Sequence, residues 1–165
     1  MSQAVGSLEG RVAVVTGGAS GIGGACVRLV VADLNTEAAG KMAAEVGGVA
    51  MSIDVRDADA VQALADRVER EVGPTDIVVT SAGIVQPPLP PEDLPLEMYD
   101  NVVAVNLRGT YLTARAFAAY MLKRRSGAIV TISSVTAERS TPLHAYAPTK
   151  AAVTNLTMGL ASEWG

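Results

Sequence analysis

The sequence predicts an α/β fold in which a doubly wound parallel sheet is covered by helices on both faces. Short β-rich runs alternate with longer alanine-rich stretches of helical composition. The strand-like runs are apolar without polar alternation, which is typical of strands buried on both sides. Such burial requires helices above and below the sheet. The predicted strands are residues 12–16, 29–32, 49–53, 77–80 and 128–132.

The segments between these strands supply the predicted helices. Thr36 and Asp57 occupy positions expected for helix N-caps, and Gly73 followed by Pro74 indicates the end of a helix. Segment 86–95 contains five prolines and is therefore predicted to be a loop. The predicted helices are residues 36–46, 57–72, 96–125 and 145–164.

Length and composition limit the classes of protein to which the chain can belong. The 165 residues fit a single domain, 1–165, with 49% hydrophobic residues to form its core. The net charge of −4 argues against nucleic-acid or anionic-membrane partners. Cys26 is the only cysteine, which excludes an internal disulfide and fits a reducing compartment. With no apolar run near the roughly 18–20 residues of a membrane span, we expect a cytoplasmic protein.

A glycine-rich turn follows the first predicted strand. Its sequence at 16–23 is Thr-Gly-Gly-Ala-Ser-Gly-Ile-Gly. Glycine lets the backbone approach a diphosphate, whose charge is favoured by the free N–H groups and dipole at a helix start. The position after a strand favours a dinucleotide site over an ordinary flexible loop. The candidate residues are Gly17, Ser20, Gly21, Ile22 and Gly23.

Asp33 ends the second predicted strand and bears on the choice of cofactor. A carboxylate there can accept hydrogen bonds from the adenosine ribose hydroxyls and would repel a 2′-phosphate. This predicts NAD rather than NADP. The alternative interpretation of Asp33 is an ordinary surface-turn carboxylate.

Tyr146 and Lys150 are candidates for proton transfer. A phenol with a pKa of about 10 is a poor acid or base at neutral pH, and a nearby cation lowers such a pKa. Residues four apart on a helix share one face, so both side chains can face the same site. Tyr146 would then exchange the substrate hydroxyl proton while hydride moves to or from a nicotinamide. His144, the only histidine, is interpreted as a helix-start or pocket-rim residue.

Two serines close the fifth predicted strand. Ser133 and Ser134 precede Tyr146 by 13 and 12 positions. A hydroxyl at that point can polarise a substrate carbonyl or hold an alcohol. Spacing and strand position by themselves leave both serines open.

Together the turn at 16–23, Ile-Ser-Ser-Val at 132–135 and Tyr-Ala-Pro-Thr-Lys at 146–150 resemble the short-chain dehydrogenase/reductase family, from about Leu8 to Gly165. The resemblance implies a Rossmann-like domain and an NAD-dependent oxidoreductase that exchanges hydride with a secondary alcohol or ketone through a Tyr–Lys proton relay. The family's usual separation favours Ser133, whereas the local likeness favours Ser134. We choose Ser134 because strand ends fix direction better than loops fix length.

The resemblance assigns further residues. Asn106 matches the helix asparagine that supports a water-linked proton path with the lysine. The family also forms dimers or tetramers through the helices that carry Asn106 and Tyr146, which predicts a homo-oligomer. Apolar residues available for that contact are Tyr111, Leu112, Phe117 and Met121, although packing against the sheet would also use many of them. The implied cofactor contacts are Asp54 and Val55 beside the adenine, Tyr146 and Lys150, and Ser81, Ala82 and Gly83, where the family usually has Asn-Asn-Ala-Gly.

The chain departs from the family pattern in two places. Only six residues separate Gly23 from Val30, although a parallel crossover normally needs about ten or more. Either the first helix is reduced to a turn or residues 29–32 pair differently, and a lost helix would expose the sheet face it covers.

The family also continues beyond the Lys150 helix with two strands, a Pro-Gly segment and a substrate loop. We therefore expect a sheet incomplete at its C-terminal edge, with the fifth strand exposed there. The competing hypothesis is a catalytically inactive fragment that acts as a dinucleotide-binding or oligomerisation module.

Overall fold

The sheet is parallel and doubly wound. The computed structural model describes residues 8, 10–19, 29–139 and 141–165. Five strands lie in the order β3-β2-β1-β4-β5, so the chain builds outward from β1 on one side and then returns to its other side. This confirms the predicted fold class. The strands are β1 Val12–Thr16, β2 Leu29–Asp33, β3 Val49–Ser52, β4 Thr75–Thr80 and β5 Ala128–Thr131.

The helices follow the predicted pattern with one interruption. A π-helical turn at Ala104–Arg108 divides the helix predicted over 96–125. The proline-rich loop contains a single 3₁₀ turn, Pro91–Asp93, and another such turn, Val135–Glu138, follows β5. Within the described ranges, no helix has the length and apolar character needed to cross a membrane. The helices are α1 Thr36–Val46, α2 Ala58–Glu71, α3 Leu96–Val103, α4 Gly109–Arg124 and α5 Tyr146–Trp164.

Helix starts confirm one predicted cap and correct the other. Asp57 caps α2 by accepting hydrogen bonds from the backbone N–H groups of Asp59 and Ala60. The prediction of Thr36 as a cap was wrong, because Asn35 holds that position and its Oδ1 accepts the Ala38 N–H at 3.0 Å. The carboxamide oxygen of asparagine is a favoured acceptor for this role, and Thr36 becomes the first helical residue.

The short first crossover does not alter strand pairing. β2 pairs with β1 in parallel, with Val30 opposite Val14 and Ala32 opposite Thr16. The alternative in which residues 29–32 pair differently is therefore wrong. Residues 20–28, which include Cys26 and the second half of the glycine-rich turn, lie outside the described part of the chain.

One sheet face packs against α2 and α4. Val14, Val30 and Val78 are fully buried there beside Phe117, which is 0% exposed. Leu112 and Met121 belong to this same core. Of the two uses open to Leu112, Phe117 and Met121, the structure shows packing against the sheet and not contact with a second subunit.

The opposite face packs against α1 but opens towards β5. Ala13, Val15 and Val31 are buried there with Ala39 and Ala43 of α1, so the face stays closed over β1 and β2. Towards the edge formed by β5, helices cover less of this face.

β5 is an edge strand of the described sheet, and Val130 on it is 47% exposed. A groove of about 420 Å³ runs between β5 and the C-terminal turns of α4 and α5. The expected exposure of the fifth strand is thus present among the described residues.

Phe117→Ala should lower the free energy of unfolding by about 3–5 kcal/mol, because it leaves a ring-sized cavity in the core between α4 and the sheet. Urea unfolding followed by circular dichroism measures the change. Met158→Ala, at a side chain that is 60% exposed, is the matched control and should cost less than about 0.5 kcal/mol. Equal losses in the two variants would contradict this assignment of the core.

Candidate active site

A cleft of about 560 Å³ opens at the carboxyl ends of β1, β2 and β4. In doubly wound sheets, the point at which strand order reverses leaves such a crevice between the loops that follow the strands. Ser20, Gly21, Ile22 and Gly23 lie outside the described residues. The predicted cofactor residues that line the cleft are Gly17, Asp33, Asp54, Val55, Ser81, Ala82 and Gly83.

Gly17 forms the part of the cleft where two backbones meet. Its φ is +66°, and a Cβ at this position would lie 2.6 Å from the Ala82 Cα and 2.7 Å from the Ala82 N. The Gly17 N–H donates to the Ala32 carbonyl at 2.8 Å, and the Ser81 N–H donates to the Thr16 carbonyl at 3.1 Å. Glycine is required here by both the left-handed conformation and the close approach.

Asp33 lies at the end of β2, next to the glycine-rich turn. Its Oδ2 accepts the Ala19 N–H at 3.1 Å, and its Oδ1 accepts the Asn35 N–H at 2.9 Å. Backbone donors on both sides therefore fix the direction of the carboxylate. The end of β2 and the turn after β1 are held in one arrangement.

The far end of the cleft contains an ion pair that the sequence analysis missed. Arg56 Nη2 lies 2.7 Å from Asp54 Oδ2, and Arg56 Nη1 donates to Asn101 Oδ1 at 2.7 Å. The pKa of Asp54 is lowered, chiefly because the Arg56 side chain donates hydrogen bonds to its carboxylate. The Asp-x-Arg spacing is a local signal for this pair. Asn101 gave no such signal, since it comes from a helix 45 positions away.

Asn106 lies in the π-helical turn and is fully buried. Its Oδ1 accepts the Ile84 N–H at 2.8 Å, and its Nδ2 donates to the Ile84 carbonyl at 2.9 Å. Nδ2 also lies 3.3 Å from Thr149 Oγ1. One amide therefore joins the loop after β4 to α5. Single-turn π insertions within α-helices are frequent at functional sites.

Tyr146 and Lys150 lie on the first turns of α5, as predicted. The Lys150 Nζ is 5.6 Å from the centre of the Tyr146 ring and donates to the Ile132 carbonyl at 2.7 Å. Thr149 Oγ1 donates to the Tyr146 carbonyl at 2.7 Å. Thr149 therefore links the Tyr146 carbonyl to Asn106, whereas Lys150 is bonded to the end of β5.

Lys150 is buried, with 5% of its surface exposed. Burial lowers its pKa, because removing the ammonium group from water disfavours the charged form. Gly83 lies beside it: a Cβ there would be in ordinary contact, 3.7 Å from Lys150 Nζ and 3.4 Å from Asn106 Oδ1.

The two candidate serines have different partners. Ser133 Oγ donates to the Lys150 carbonyl at 3.0 Å and lies 2.7 Å from Thr154 Oγ1, so it fastens β5 to α5. Ser134 Oγ accepts hydrogen bonds from the N–H and Oγ1 of Thr136, which leaves its own proton free to donate. No hydrogen bond joins either hydroxyl to the Tyr146 phenol within the described residues.

Comparison with known proteins identifies the family. The profile of the short chain dehydrogenase family matches residues 11–165. D-threitol dehydrogenase of Mycolicibacterium smegmatis is 41% identical over 96% of this chain and 66% of its own length. The Sphingomonas enzyme named 2-dehydro-3-deoxy-L-rhamnonate dehydrogenase (NAD(+)) is 34% identical over 99% of this chain and 70% of its own.

A crystal structure described as ribose-5-phosphate isomerase from Brucella melitensis 16M superposes with a TM-score of 0.91 at 44% identity, covering 94% of this chain and 64% of that one. The chain therefore belongs to the short-chain dehydrogenase family. It spans just under two thirds of the length of the threitol dehydrogenase and of the Brucella protein.

Gly17→Ala should destabilise the chain more than Gly10→Ala does. Both glycines have positive φ, +66° and +81°, but a Cβ at Gly10 has nothing within 4 Å. Gly10→Ala should therefore cost about 1 kcal/mol of backbone strain alone. Gly17→Ala should cost a further 1–3 kcal/mol or so, because the methyl group collides with Ala82. Urea unfolding of both variants measures the difference, and equal costs would show that the contact with Ala82 is absent.

The stability of the wild type relative to Lys150→Met should rise as the pH rises towards the ordinary lysine pKa of 10.5. With its pKa lowered by burial, Lys150 binds fewer protons in the folded than in the unfolded state between the lowered pKa and 10.5. Stability increases with pH in that interval. Urea unfolding across the alkaline range measures the trend, with exposed Lys123→Met as the control for loss of a lysine charge. A difference that falls with pH would contradict the buried, desolvated ammonium.

Proposed function

We propose that this chain provides the dinucleotide site and the proton-transfer residues of an NAD-dependent dehydrogenase acting on a secondary alcohol or ketone. The observation that carries the proposal is the position of Gly83. It lines the cleft and also lies beside the buried side chains of Asn106 and Lys150, so a single loop joins the cleft to both. Dehydrogenase chemistry requires this proximity, because the hydride leaves the carbinol carbon of the substrate and the proton leaves the oxygen bonded to that carbon.

The residues of the cleft fit a dinucleotide. Gly17 allows close backbone approach for a diphosphate, and Asp33 presents a fixed carboxylate towards ribose hydroxyls. Asp54 and Val55 would lie beside the adenine, and Ser81, Ala82 and Gly83 beneath the cofactor. The carboxylate of Asp33 would repel a 2′-phosphate, which favours NAD over NADP, and one relative is named as an NAD(+) enzyme.

The proton chemistry is assigned to α5 and its neighbours. A bound nicotinamide supplies the hydride acceptor or donor. Tyr146 takes the proton from the substrate hydroxyl during oxidation and returns it during reduction. Lys150 supplies positive charge beside the phenol, and Asn106 supports the proton path to the lysine. Ser134, whose hydroxyl proton is free, donates to the substrate oxygen.

A second candidate function is a non-catalytic dinucleotide-binding or oligomerisation module. It is favoured by exposed apolar side chains on α3 and α4. Leu96 is 79% exposed, Tyr111 43% and Leu122 47%. We also propose that these helices form a homo-oligomer interface, for which light scattering of the purified chain is the direct measurement.

Tyr146→Phe should reduce turnover by at least about 100-fold while leaving the NADH dissociation constant within about twofold of wild type, because only the proton-transferring oxygen is lost. NADH binding is followed by nucleotide fluorescence. Turnover is followed by absorbance at the nicotinamide band with a panel of polyols and ketones. Ser134→Ala should likewise lower turnover without changing the NADH dissociation constant, whereas Ser133→Ala should mainly lower the free energy of unfolding.

The controls separate the two candidate functions. Tyr111→Phe, on an exposed ring, should leave both quantities unchanged, and Gly17→Trp should abolish NADH binding. NADPH should bind more weakly than NADH. Saturable NADH binding without any turnover would favour the non-catalytic module, and absence of binding in the wild type would overturn the dinucleotide assignment itself.

A further inference from the structure

Gln86 is buried in a loop whose apolar neighbours are exposed. It is 3% exposed, whereas Val85 is 59% exposed and Ile84 37%. Ordinary partitioning would bury the aliphatic side chains and expose the amide. The reversal indicates that this segment is held by a polar contact made by Gln86.

The contact is with the start of α5. Gln86 Oε1 accepts the backbone N–H of Tyr146 at 3.1 Å. The preceding residue, Ala145, is at the N-cap position and has no side-chain acceptor. A residue 60 positions away in sequence therefore supplies the acceptor that a capping side chain normally provides.

The other N–H groups of the first turn do not need Gln86. The Ala147 N–H donates to the Leu143 carbonyl at 3.0 Å, and the Thr149 N–H donates to the Ala145 carbonyl at 3.3 Å. Pro148 has no N–H. Gln86 thus satisfies the remaining donor among these residues, and that donor belongs to Tyr146.

The orientation of the Gln86 amide follows from this bond. A backbone N–H needs an oxygen acceptor, so Oε1 faces Tyr146 and Nε2 points away from it. Nε2 is buried without a hydrogen-bond partner among the described residues. An unsatisfied buried donor is costly, by about 1–3 kcal/mol. An apolar side chain of the same length would avoid this cost but would leave the Tyr146 N–H without its acceptor, so the glutamine is explained by its bond to Tyr146.

The loop after β4 makes successive contacts with the three proposed proton-transfer residues. Gly83 abuts Lys150, the Ile84 backbone is held by both polar atoms of Asn106, and Gln86 holds Tyr146. We propose that Gln86 is a positioning residue, which fixes the start of α5 and thereby the place of the Tyr146 phenol relative to Lys150. This inference rests on the proposed function for its catalytic consequence, but not for its structural one.

The test compares Gln86→Met, which removes the acceptor at similar size, with Gln86→Glu, which keeps it. Gln62→Met is the matched control, since Gln62 lies on the exposed face of α2 and donates to Asp66. Each protein is labelled with fluorotyrosine, and Tyr146→Phe assigns the Tyr146 signal among the four tyrosines. Gln86→Met should shift or broaden that signal alone, and Gln86→Glu should restore it.

The kinetic arm should show a kcat reduced about tenfold or more in Gln86→Met, with the NADH dissociation constant unchanged, and recovery in Gln86→Glu. An unaltered Tyr146 signal in folded Gln86→Met would overturn the proposal. If that variant does not fold, hydrogen exchange of the Tyr146 backbone amide in the wild type tests the proposal instead. An N–H that is not protected from exchange would show that the hydrogen bond to Gln86 is absent and would overturn the proposal. The spectroscopic arm needs neither substrate nor turnover, so failure of the proposed dehydrogenase activity would be seen separately.

Discussion

The paired hydrogen bonds between Asn106 and the backbone of Ile84 hold the two halves of the site together. The cleft is built largely from loops after β1, β2, β3 and β4, whereas Tyr146 and Lys150 come from a helix that follows β5. The side chain of Asn106 contacts the β4 loop through both of its polar atoms and reaches Thr149 of α5 with one of them. Breaking either hydrogen bond would leave a buried polar group without a partner, at a cost of about 1–3 kcal/mol for each group. This cost opposes any movement of the two halves of the site relative to each other.

The site is arranged at the expense of local stability. Lys150 is buried with its ammonium bonded to a backbone carbonyl, and burial lowers its pKa. Gly17 adopts a left-handed conformation against the Ala82 backbone. Gln86 buries a donor without a partner in the described structure. The large apolar core around Phe117 offsets the free-energy cost of these features. Such local conflicts are expected at functional sites rather than in a scaffold.

Much of the fold could be predicted because its signals are local or periodic. The apolar runs located all five strands, and Asp57 marked the start of α2. The prediction of Thr36 as a cap missed by one residue because the choice between adjacent polar side chains depends on backbone geometry. The π-helical turn around Asn106 left no distinct pattern in the sequence, since its composition suits an uninterrupted helix. Leu112, Phe117 and Met121 were left open between a subunit interface and packing on the sheet, because apolar character alone does not state which side of a helix faces the sheet.

The sequence by itself determined the class of protein and the residue types of the candidate site. The glycine-rich turn, Asp33 and the Tyr146–Lys150 pair are short patterns whose chemistry can be inferred from residue type and spacing, whereas the role of Asn106 is implied by the resemblance to the family. The tertiary structure decided which of them meet. Gly83 joins the cleft to Lys150, Arg56 donates to Asn101, and Gln86 accepts the N–H of Tyr146 from 60 positions away. Such contacts depend on how parallel strands bring distant loops to one edge of the sheet, and no local pattern in the chain encodes that proximity.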